Sequence, residues 1–134
     1  MYHIEYIIGR NPMLVRAVAA TTNVGSSYDR FSPEALQQLA GGAVGLKVLK
    51  DFDAENSIGT VVHSEVKDGK LIVQCAIAEE FLQKYPSYVV PGFKAIEVIH
   101  GTGVCELCSV APKVFGLVEK PCDLSLSPLS IMEA

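Results

Sequence analysis

Apolar and polar residues alternate through Tyr2, Ile4, Tyr6 and Ile8, the period of two that turns every second side chain of a strand toward one buried face. Gly9 and the Asn11-Pro12 turn signal end that run, and a second strand is expected over Met13 to Thr21. From Thr22 to Phe31 the residues are small and polar, with Gly25 as the turn residue, so a loop is expected. Ser32 then supplies a hydroxyl cap, Pro33 suits a first helical position, and Glu34 complements the positive end of the helix dipole. The pattern predicts a helix from Pro33 to about Ala40, stopped by Gly41 and Gly42, and a strand in Val44 to Lys50. Asp51 to Asn56 is too charged to continue that strand through a core.

Two β-rich runs, Ile58 to Val66 and Lys70 to Ala78, flank Lys67-Asp68-Gly69 and predict a β-hairpin turned by Asp-Gly. Its second arm alternates cleanly at Leu71, Val73, Cys75 and Ile77, which makes Cys75 a core thiol. A short helix is expected from Glu79 to Tyr85, with Phe81 and Leu82 turned inward and Pro86 as its stop. Strand character returns at Tyr88 in two segments interrupted by Pro91-Gly92, turns at Gly101 to Gly103, and resumes from Leu107 with Pro112 at an edge or bulge. From about residue 121 the tail carries Leu124, Leu126 and Leu129 between Pro121 and Pro128, and an extended segment laid on the surface is expected. The fold class is therefore α+β: a sheet-dominated single domain over residues 1–134, with six to eight strands in a partly closed antiparallel or mixed sheet and two short helices.

Composition narrows this. A chain of 134 residues with 49% hydrophobic residues buries one core, and the eleven glycines and seven prolines cluster between apolar runs, as turns do. The net charge is −4, and the eleven basic residues are scattered singly, so no electrostatic footprint for nucleic acid is present. No stretch is long and apolar enough for a membrane helix, and no basic segment followed by an apolar core opens the chain, so the protein is expected to stay where it is made. Cys75, Cys105, Cys108 and Cys122 are expected to remain reduced thiols.

Candidate chemistry is sparse. Cys105 and Cys108 have metal-like spacing but no second pair, so no metal is expected. His3, His63 and His100 are isolated from one another, and His63-Ser64 on a strand points its two side chains to opposite faces. Asp51, Asp53 and Glu55 resemble the start of a calcium loop, but Asn56 and Val62 stand where its glycine and glutamate belong. Gly41, Gly42 and Gly45 have neither the lysine nor the spacing of a phosphate cradle. No catalytic, cofactor-binding or metal-binding residue follows from the pattern alone.

One resemblance adds to this. The strand RAVAATTNV, the step YDRFSPEAL, the strand VGLKVLKDFD, the segment IGTVVHSEVKDGKLIV and FGLVEKP follow an order similar to that of the prohead (capsid maturation) protease family of tailed bacteriophages, over roughly Val15 to Pro121. Under that resemblance the family's histidine falls at Phe52 and its serine at Val90, within Val89-Val90-Pro91-Gly92-Phe93. The acidic or polar segment ahead of the final proline falls on Val114 to Val118. Phenylalanine accepts no proton and valine has no hydroxyl, so the resemblance implies a protease-like fold without catalytic residues. What it implies about setting is a non-enzymatic structural protein of a phage virion, a decoration or cement protein made in the host cytoplasm and bound to the capsid. Its partners would be the major capsid protein or other virion subunits, and copies of itself as a homo-oligomer. The enzyme-class alternative is an active maturation serine protease using other residues, with His63 and Ser64 as the first to test. A small host-encoded binding module without a viral connection is the third reading.

Overall fold

A computed structural model describes residues 12–26, 28–83 and 86–132. The strand expected over Tyr2 to Ile8 and the helical end at Tyr85 lie outside them. The described elements are β1 (Pro12–Thr21), β2 (Asp29–Phe31), α1 (Pro33–Ala43), β3 (Lys47–Lys50), β4 (Ser57–Lys67), β5 (Lys70–Ala78), a 3-10 turn (Glu79–Leu82), β6 (Tyr88–His100), β7 (Cys105–Val118) and β8 (Ser130–Ile131). All eight strands belong to one mixed sheet. Of the two expected helices, the first is an α-helix and the second a single 3-10 turn, whose Phe81 and Leu82 pack against the core.

β5 is the antiparallel neighbour of both β4 and β1, and β8 takes a short stretch of β1's other edge at Val15 and Arg16. At the far side β7 pairs with β6 along its whole length. β7 also pairs in parallel with β2 near its start and with β3 near its end, so those two short strands share its remaining edge. The expected partial closure is not found. β6 pairs only with β7 and β8 only with β1 among the described residues, so the two ends of the strand order do not meet. The sequence of β6 accounts for this: Pro91 has no N–H to donate, and three register shifts against β7 bend the strand, devices that blunt an edge. Pro91 does not split β6 into two segments as expected, because an edge strand tolerates a missing donor.

The Asp68-Gly69 turn forms as expected, with φ of 54° and 72°, the left-handed pair that joins two strands through a two-residue loop. Ser32 caps α1, its Oγ accepting the Ala35 N–H at 3.0 Å. The helix nevertheless runs through Gly41 and Gly42 to Ala43, and Gly45, at φ 90°, is the residue that turns the chain away. Gly42 serves a close approach instead: a Cβ there would stand 2.6 Å from Pro112 Cγ, so its absence lets α1 lie down on β7. Gln38 Oε1 fixes the contact by accepting the Val110 N–H at 2.7 Å. Leu36 and Leu39 of α1 meet Val61, Val73, Cys75 and Phe115 in one fully buried cluster, where each large side chain contributes roughly 1.5–3 kcal/mol. The 3-residue strand β2 interrupts the expected loop, because the parallel edge of β7 offers its backbone a partner that the local sequence does not announce.

Candidate functional site

The end of β1, β2, the β3–β4 turn, the start of β6 and the C-terminal tail converge on a cavity of about 280 Å³. Ala19 and Ala20 leave the space, and Phe31, Phe52, Val90, Phe93, Leu107 and Leu126 surround it with apolar surface. Phe31 and Phe93 meet edge to face with ring centroids 5.1 Å apart. Polar groups gather at one side: Thr21 Oγ1 donates to Asp123 Oδ2, and Asn23 Nδ2 donates to Ser125 Oγ at 2.9 Å. Arg30 is held by Glu106 through its Nε and one terminal nitrogen.

Phe52 is set there by an uncommon backbone. Asp51 and Phe52 have φ of 51° and 58°, consecutive left-handed residues with a Cβ. The turn is pinned by Asp51 N–H to Leu117 O at 3.0 Å, Asp53 N–H to Lys50 O at 2.9 Å and Asn56 N–H to Asp53 O at 2.9 Å. Its ring covers two glycines: a Cβ on Gly116 would come to 2.5 Å from the ring, and one on Gly92 to 2.9 Å. Val90 pairs directly with Gly116 and precedes Gly92 by two, so its side chain emerges on the face that the ring covers. The structure thus brings together Phe52 and Val90, the two positions that the resemblance assigns to histidine and serine. Val114 flanks the same place, its Cγ2 standing 2.9 Å from the Gly92 Cβ position. The side chains at these three positions carry no proton acceptor and no nucleophile.

The remaining candidates lie apart. Ser64 Oγ donates to Ala40 O at 2.6 Å and ties β4 to α1, while His63 is solvent-exposed. Asp53 Oδ1 accepts the Glu55 N–H at 3.0 Å, and Asp51 Oδ2 meets Lys50 Nζ at 3.1 Å, so these carboxylates serve the turn. Among the described residues no three of His, Cys, Asp or Glu gather as metal ligands. Cys75 is fully buried, and burial pushes its thiol up to about 12. Cys108 is raised by burial and then by the Glu106 and Glu97 carboxylates, and its Sγ donates to Glu106 O.

One pairing was not foreseen from the sequence. His100 and Cys105 are opposite partners closing the β6–β7 hairpin, and His100 Nδ1 stands 3.2 Å from Cys105 Sγ. The signal was present: Gly101 to Val104 is a loop of hairpin length, and the residues bounding such a loop face each other.

No protein-family model, curated protein or solved structure matches this chain.

Proposed function

We propose that this chain is a non-enzymatic binding protein of a phage particle, a decoration or cement protein that attaches to the major capsid protein. The observation that carries the reading is the seating of Phe52: where the resemblance expects a catalytic base beside a nucleophile, a phenyl ring lies over two glycines next to Val90. A base cannot be supplied from that position, and a covalent route needs both groups. The apolar cavity around the ring and the tail beside it would form the surface through which the protein meets virion subunits, in copies that associate with one another. This setting comes by analogy with the family that the sequence resembles.

The test is to add purified protein to shells assembled from the major capsid protein of the phage that encodes it and to sediment the particles. Saturable co-sedimentation at a fixed ratio to the shell subunit is expected, together with no cleavage of the unprocessed shell or scaffold precursor. Protein that stays in the supernatant sinks the decoration reading. Precursor cleavage that is lost in Ser64→Ala or His63→Ala establishes the protease reading in its place.

A further inference from the structure

The four cysteines occupy four different environments, and among the described residues only one of the thiols faces a base. Cys75 is sealed in the core, and burial there holds its thiol well above the ordinary value. Cys108 is half-buried, with carboxylates of Glu106 and Glu97 that oppose a thiolate. Cys122 is solvent-exposed, and its backbone carbonyl accepts the Ser26 N–H at 2.8 Å. Among the described residues, Cys105 is the cysteine with an imidazole nitrogen within hydrogen-bond reach, at 3.2 Å, at the solvent-facing end of a hairpin.

That geometry is built into the backbone. Gly101 N–H donates to Val104 O at 2.8 Å, and Gly103, at φ 79°, completes a turn that returns the chain with Cys105 opposite His100. On the other edge of β7 the Cys105 N–H donates to Tyr28 O at 3.0 Å, and Asp29 is its parallel partner in β2. Cys105 is therefore held by strands on both sides, and the imidazole approaches it from one of them. With its own hydrogen on Nε2, His100 presents Nδ1 as the acceptor for the thiol S–H, the arrangement in which a neighbouring base activates a sulfur nucleophile.

We infer that Cys105 with His100 is a nucleophilic thiol site that undergoes exchange with low-molecular-weight disulfides. In the step Sγ attacks one sulfur of the reagent, a new S–S bond forms, and the reagent's own S–S bond breaks. The hydrogen carried by Sγ passes to Nδ1 and from there to the departing thiolate, which leaves as a thiol. One disulfide is consumed and one is made, so no other oxidant or reductant enters. The site is independent of the particle-binding reading, since it lies on the β6–β7 turn and neither His100 nor Cys105 lines the cavity.

The test uses the folded, reduced chain and a neutral dipyridyl disulfide near neutral pH, with pyridinethione release followed by absorbance and the modified cysteine located by peptide mass mapping. The first equivalent should fall on Cys105, at a rate roughly tenfold or more above that of Cys122, a lower bound set beneath the roughly 100-fold or more that one positioned base supplies. Cys105→Ser should remove this fast phase. His100→Ala should bring Cys105 down to the rate of Cys122, and His100→Asn, which keeps a polar side chain without the base, should do the same with the fold intact by circular dichroism. A fast phase located at Cys122, or a Cys105 rate unchanged in both His100 variants, overturns the inference.

Discussion

At Phe52 the backbone is costly and the side chain recovers the cost. Consecutive left-handed residues with side chains cost on the order of 1–3 kcal/mol each, and they persist only where their surroundings fix them. Here the turn's hydrogen bonds hold the backbone and the ring closes over Gly92 and Gly116, leaving the residue 40% exposed. Gly116→Ala should therefore destabilise by about 1–3 kcal/mol, the range for a methyl forced into filled space. In a Phe52→Ala background the same substitution should cost far less, because the atoms it strikes are gone. Urea unfolding of the four proteins measures the coupling. An equal penalty in both backgrounds would mean that the ring does not rest on Gly116. Little of this was legible beforehand. Asp51 is a residue type that tolerates positive φ but Phe52 is not, and Gly116 lies far along the chain inside a run that reads simply as strand. The pairing of Phe52 with Val90 came from the family resemblance, whereas the glycine notch that joins them came only from tertiary structure.

Among the elements, those whose cause is local were legible and those whose cause is a neighbour were not. The Asp68-Gly69 hairpin and the Ser32-Pro33 helix start stand where the residue types put them. The helix stop moved from Gly41 to Gly45, since Gly42 answers to Pro112 across the interface, and β2 exists because β7 offers it an edge. Ser32 also does more than a local cap. It is buried, its backbone N–H donates to Leu107 O at 3.0 Å, and its Oγ lies 3.3 Å from Cys108 O as donor while accepting from Ala35 N–H. One hydroxyl thus starts α1 and ties it to β7. Ser32→Ala should cost about 1–2 kcal/mol, the upper part of the range for a cap, and Ser32→Thr should restore most of it. Chemical denaturation gives both values. A loss of only a few tenths in Ser32→Ala would show that α1 docks through its apolar face without the cap.

On the scale of the whole molecule, the tail does what the sheet does not. β1 and β6 lie near each other without a shared ladder, and the segment after Pro121 spans the gap. Asp123 accepts from Thr21 at the end of β1, Leu129 N–H donates to Ser87 O just ahead of β6, and Met132 N–H donates to Leu14 O beside the short β8 pairing. Leu126 is buried over the cavity and Leu129 packs on the core, although Leu124 is 81% exposed. An extended tail on the surface was expected; its role as a strap between the two ends of an open sheet follows from long-range pairings that no local pattern encodes. Removing residues 121–134 should therefore weaken the entire fold, by roughly 1.5–3 kcal/mol from the buried Leu126 and a smaller share from the half-buried Leu129. Hydrogen exchange should rise at Leu14 to Arg16 and at Ser87 to Val90 together, while the β4–β5 hairpin keeps its protection relative to them. The same truncation should enlarge the cavity mouth and increase binding of an apolar dye. If the shortened chain unfolds at the same temperature as the intact one, the tail is an appendage, and β1 and β6 are held in place by the core between them.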